Sequence, residues 1–129
     1  MNGGKRVTGT VLDIEERAEA FALRAVKVFR YLQKQKDAAD LILGRQFLRS
    51  ATSVGANLIE ARSGESRRDF VHKCSIAQKE ARETRYWLRL LVKADLIPPV
   101  RLAGMMDETE QIIAIVTAII VKAKRRPTN

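Results

Sequence analysis

Few side chains in this sequence could do acid–base, nucleophilic or metal chemistry. In 129 residues there is one histidine, His72, and one cysteine, Cys74. A ferritin-like di-iron centre in a helical protein needs Glu from two helices and Glu-x-x-His from each of two others, which one histidine cannot complete. Asp69 and His72 stand three apart, but they fall in the first turns of a helix, where an acid caps. Any Ser-His-Asp or Cys-His scheme must use His72 alone, and two ligands of the usual zinc types are too few for a site. The GESRRD segment has one glycine, so it fits neither the Walker nor the dinucleotide phosphate loop. Glu60, Glu80 and Glu83 could serve an enzyme only with a metal that the sequence does not announce. The expectation is a non-enzymatic chain with no catalytic residue, no metal and no cofactor. Cys74, with no partner, reads as a small core residue.

Two constellations remain. Gln46, Ser50, Ser53, Asn57 and Glu60 recur at steps of four and three, a polar stripe along one helix face. Glu80 and Glu83 on a later helix could accept hydrogen bonds from Asn57, Ser53 or a basic residue across a helix interface. Small hydroxyls and one Asn suit close-packed helices better than catalysis, so Ser50, Ser53, Asn57, Glu60, Glu80 and Glu83 are predicted to form a structural polar network. The second constellation is basic. Arg17, Arg24, Lys27, Tyr31 and Lys34 form one ridge, and Lys79, Arg82, Arg85, Tyr86, Arg89 and Lys93 form another. Dense Lys and Arg with interleaved Tyr suit a surface that tracks phosphates and stacks on bases. Part of this charge goes to ion pairs such as Asp69 with Lys73 and Lys79 with Glu83.

The elements that must hold these residues are helical throughout. Seven Gly and three Pro are too few for a loop-rich or many-stranded chain, and 46% hydrophobic residues support one core. After a flexible head (residues 1–12), Asp13 and Glu16 form a capping signature for a helix over about 13–35, with apolar Ile14, Ala18, Phe21, Ala25, Val28 and Leu32. A second helix is predicted over 38–62, closed by Gly64. Ser66 and Asp69 open a third over 66–95. A fourth spans 99–124, with Pro99 at its start, and a basic tail end occupies 126–129. Short connections force antiparallel neighbours, so the predicted fold is all-α, a single-domain, antiparallel up-down four-helix bundle. Ala22, Val26, Phe29, Leu48 and Ile59 widen the apolar stripes beyond one interior, which suggests burial against copies of itself. The longest apolar run, from Ile112 to Val121, is too short to span a bilayer. No secretory leader is evident, and the expectation is a cytoplasmic protein without membrane contact.

The second and third helices also carry a resemblance. Arg49, Ser50, Thr52, Ser53, Ala56, Asn57, Glu60 and Ala61 follow an RS-x-TS-x-x-AN-x-x-EA pattern, and Glu80, Glu83, Thr84, Tyr86, Trp87 and Leu88 follow E-x-x-ET-x-YWL. Over roughly Phe21 to Lys122 the chain resembles the bacterial four-helix bundle proteins encoded in 23S rRNA intervening sequences, a family related to accessory proteins of diversity-generating retroelements. The resemblance implies a homopentameric ring. It also implies kinship with proteins that are basic and bind nucleic acid and a polymerase.

The net charge is +9, and a five-fold ring would raise it to about +45, a field that favours polyanions. The function expected is low-specificity binding of RNA or DNA through its phosphate backbone, using Arg17, Arg24, Lys27, Lys34, Lys79, Arg82, Arg85, Arg89 and Lys93. The alternative is a structural adaptor that docks a protein partner such as a nucleic-acid enzyme.

Overall fold

The computed structural model describes residues 11–125, with side chains from Asp13 onward. Most of the predicted head and the 126–129 tail end therefore lie outside the described residues. Four helices follow in order: α1 Val11–Lys34, α2 Ala38–Arg62, α3 Arg67–Lys93 and α4 Pro99–Arg125. At 1.5 Å per residue they are about 36 to 40 Å long. The connections are too short for anything but antiparallel reversal. Each helix packs on its chain neighbour and α1 closes loosely on α4, while the diagonal pairs α1/α3 and α2/α4 do not meet. This is the all-α up-down four-helix bundle predicted from the apolar spacing.

The stripes supply the core. Ile14, Ala18, Phe21, Ala25 and Leu32 of α1, Phe47, Ala51, Val54, Leu58 and Ala61 of α2, Cys74, Ala77, Ala81, Leu88 and Leu91 of α3, and Leu102, Met105, Ile112, Val116 and Ile119 of α4 are buried in one cluster. Each fully buried large side chain contributes about 1.5 to 3 kcal/mol. Alanines in the stripes let the axes approach: a Cβ placed on Gly55 of α2 would lie 3.4 Å from the Ala18 Cβ of α1. The widening residues Ala22, Val26, Phe29 and Leu48 are only half-buried, and Ile59 is exposed.

Helix ends show where local chemistry acted and where it did not. Asp37 caps α2 by accepting from the Ala39 N–H at 2.8 Å, and Ser66 caps α3 by accepting from the Asp69 N–H at 3.1 Å. Asp13 lies in the first turn of α1 as described from Val11, where the positive helix end favours an acid. Gly64 follows the Ser63 cap without taking a left-handed φ. Its glycine answers to space, because a Cβ would lie 3.1 Å from the Ala61 carbonyl oxygen and 3.2 Å from the Asp69 Cβ. The left-handed positions fall instead on Lys36 (φ 55°) and Asp95 (φ 61°), just past α1 and α3. After α3 the Asp95 N–H donates to the Val92 carbonyl and the Leu96 N–H to that of Leu91, both at 3.0 Å, which closes the helix in a Schellman arrangement.

Candidate nucleic-acid interface

The predicted polar stripe proves to be two kinds of contact. Helix α2 turns Ser50 fully inward opposite Thr84 of α3, both wholly buried. Their hydroxyls lie 2.8 Å apart, and each also reaches a carbonyl of its own helix, Phe47 for Ser50 at 3.1 Å and Glu80 for Thr84 at 2.8 Å. One turn outward, Arg49 donates to Glu80 at 3.3 Å and to Glu83, whose carboxylate also accepts from the Trp87 indole N–H at 3.0 Å. The Trp87 bond, joined by Arg49, holds the Glu83 carboxyl below the usual carboxylate range despite partial burial. Partial burial opposes the charge on Arg49, but Glu83 and Glu80 outweigh it and hold the guanidinium above its ordinary value. Arg49, Ser50, Glu80, Glu83, Thr84 and Trp87 thus form a lock between α2 and α3.

The other predicted network members stay outside this lock. Ser53 donates to the Arg49 carbonyl at 2.7 Å and Asn57 to the Ser53 carbonyl at 2.8 Å, both within α2. Glu60 pairs with Lys73 of α3 at 2.7 Å on the surface. The four-three spacing was right, but rotation about α2 carries Ser53 and Asn57 off the line that faces Glu80 and Glu83. Sequence reasoning left Thr84 and Arg49 out of the network. Both stand in the two motifs, and the motifs were the signal for them.

The cations sort in the same way. Arg17 grips Glu108 of α4 through two bonds of 2.9 Å, and this carboxylate raises its pKa; it also donates to the Gln111 amide oxygen at 2.7 Å. Arg85 pairs with Glu110 of α4 at 3.0 Å. Both are held in ion pairs across the bundle, because α4 brings an acid against each, which sets them apart from the other ridge cations. Arg24, Lys27, Lys34, Lys79, Arg82, Arg89 and Lys93 are exposed and form no ion pair among the described residues. Lys73 takes Glu60, not Asp69, and Lys79 acts on Glu83 only at longer range, its charge helping to lower the Glu83 pKa. The ridges lie on α1 and α3, helices that do not touch, but both flank α4, as the Arg17 and Arg85 pairs show. Arg101 of α4 was missed. Its guanidinium lies 5.4 Å from the Tyr31 ring centre, a contact between residues far apart in sequence. Tyr86 stays exposed while its ring leans edge-on against Trp87, 5.1 Å between centres.

The remaining chemical groups are quiet. Burial pushes the Cys74 thiol up to about 11, which keeps it protonated and unreactive at neutral pH. His72 and Asp69 are exposed, and among the described residues no grouping of His, Cys, Asp and Glu could hold a metal ion. No helix of the described residues is long and apolar enough to cross a membrane.

An up-down four-helix bundle whose middle helices are locked by Arg49, Ser50, Glu80, Glu83, Thr84 and Trp87 defines the class. The chain belongs to the 23S rRNA-intervening sequence protein family, which it matches over residues 10–118. It is similar to a protein of unknown function from the S23 ribosomal protein family of Bacteroides thetaiotaomicron, known from its crystal structure. The two are 35% identical with a TM-score of 0.81, over 86% of this chain and 97% of that one. No curated protein matches the chain.

Proposed function

We propose that this protein is a non-enzymatic, cytoplasmic, homo-oligomeric bundle that binds RNA or DNA through the phosphate backbone with little sequence preference. One observation carries the reading. Seven of the nine cations of the two ridges, namely Arg24, Lys27, Lys34, Lys79, Arg82, Arg89 and Lys93, stand exposed and form no ion pair among the described residues. Bound acids would have marked a solvated structural face, whereas unpaired cations at this density attract polyanions. The relation to accessory proteins of diversity-generating retroelements, implied by the motif resemblance, points the same way.

Self-association is part of the proposal. Leu23 and Ile42 are each 61% exposed and Ile59 is 53% exposed, large apolar side chains on α1 and α2 that a second copy would cover. The resemblance implies a pentamer, and light scattering should give a mass several times 14.5 kDa. The binding test is the salt dependence of affinity for mixed-sequence RNA and DNA. Affinity should fall with a log–log slope of about −0.7 to −0.9 per phosphate neutralised, and changes of sequence should matter much less. Exchanging Arg82, Arg89 and Lys93 for Gln should weaken binding equally for all sequences and flatten the slope. Absence of binding at about 50 mM salt refutes the reading. Capture of one protein partner that excess RNA does not displace would favour the adaptor.

A further inference from the structure

The free cations are not spread evenly along the bundle. Residues 27–45 and 86–106, which hold the turns nearest the α1–α2 and α3–α4 connections, carry eight Lys and Arg against three acids. Among the described residues none of those eight cations is in an ion pair. At this end the loose α1/α4 seam opens into a cleft of about 140 Å³. Val28, Ile97 and Leu102 form its apolar floor, the half-buried Tyr31 ring is one wall, and Lys27 and Arg101 stand at the rim. The Arg101 guanidinium lies over the Tyr31 ring, 5.4 Å from its centre.

We infer that this cleft receives one unpaired nucleobase of a single-stranded nucleic acid, with the flanking phosphates on Lys27 and Arg101. An apolar floor gives nothing to a bare phosphate, and a cationic rim gives nothing to an uncharged apolar ligand. The combination suits a flat ring tethered to phosphates. The phenol ring is a surface on which any base can stack once the Arg101 guanidinium leaves it for a phosphate. A duplex keeps its bases in the helix and can use the rim alone. This rests on the nucleic-acid reading above and specifies which form of nucleic acid is preferred, and where.

The test compares a short mixed-sequence RNA strand with its duplex, binding to the full chain and to Tyr31→Leu, Tyr31→Phe and Lys34→Gln. Tyr31→Leu should lose about five- to a hundredfold in single-strand affinity, the range expected for one lost base stack, with unchanged salt slope and unchanged duplex affinity. Tyr31→Phe keeps the ring and should bind like the unmutated protein. Lys34→Gln, a cation outside the cleft, should weaken strand and duplex alike and lower the slope by about one phosphate's share. Independently of any variant, a strand carrying 2-aminopurine should lose fluorescence on binding the unmutated protein, as its base stacks.

Equal loss of strand and duplex affinity in Tyr31→Leu, no loss in either, or unquenched 2-aminopurine in the bound strand overturns the cleft while backbone binding stands. If the unmutated protein binds neither strand nor duplex at about 50 mM salt, the broader reading fails and the cleft with it.

Discussion

The Ser50–Thr84 contact gives the most direct test of how α2 and α3 are held in register. Thr84→Val keeps the shape of a wholly buried side chain and removes one hydroxyl. The loss is limited by what remains: Ser50 still has the Phe47 carbonyl at 3.1 Å, and the Glu80 carbonyl keeps its helical backbone donor. The cost should therefore be that of a net hydrogen bond, about 1 kcal/mol, and not the larger penalty of an orphaned buried group. For a chain of this length that is a fall in melting temperature of about 3 to 5 °C. Ser50→Ala leaves Thr84 bonded to Glu80 and should cost a similar or smaller amount.

Because the two hydroxyls share one contact, the double variant should be more stable than the two single effects predict, with a coupling of about 0.5 to 1 kcal/mol. Urea unfolding at one fixed protein concentration measures all four proteins and prevents assembly from shifting the comparison. Strict additivity would show that the 2.8 Å approach contributes no pairwise energy and that the lock rests on Arg49 and its acids alone.

Further outcomes follow from the partners observed. Arg17→Gln should leave nucleic-acid affinity unchanged and lower stability by about 1 kcal/mol, because its charge is held by Glu108, whereas Arg89→Gln should weaken binding and leave the melting curve in place; parallel titrations and melts separate the two. Glu83 titrates below the ordinary carboxylate range in the folded state, so its contribution is present at neutral pH and is lost as pH falls through that lowered value. The stability gap between the unmutated protein and Glu83→Gln should accordingly be widest near pH 7 and close on acidification below about pH 4. Lys36→Gly removes a Cβ from a left-handed residue and should stabilise the chain by up to about 1 kcal/mol in urea, despite the freer unfolded state. Asn57→Leu should be nearly neutral in stability, since the Ser53 carbonyl it leaves already has a helical donor.

The set of helices and the line each one buries are legible in the local pattern of residues. Ile14, Phe21, Phe47, Leu58, Leu88 and Ile112 recur at helical spacing, and periodicity is a local property that needs no partner to be read. Ser66 could be recognised as a cap for the same reason, since its bond spans three residues. The two motifs hold the residues of the α2/α3 lock, although spacing alone does not say which of them meet.

Which polar side chains meet depends on how the helices pack together. A helix repeat places Arg17 and Arg24 on one side of α1, but whether an acid stands opposite depends on the rotation and depth of α4, which puts Glu108 against Arg17 and Gly104 beside Arg24. The same holds for Asn57, which spacing aligned with Ser50 and which packing left bonded to its own helix. Tyr31 and Arg101 have no relation in sequence; they meet because the short α3–α4 connection folds the start of α4 back against the end of α1. Local energies set the pattern along each helix, while the register between helices is the joint result of every side chain in the core, and that is where the free cations were separated from the paired ones.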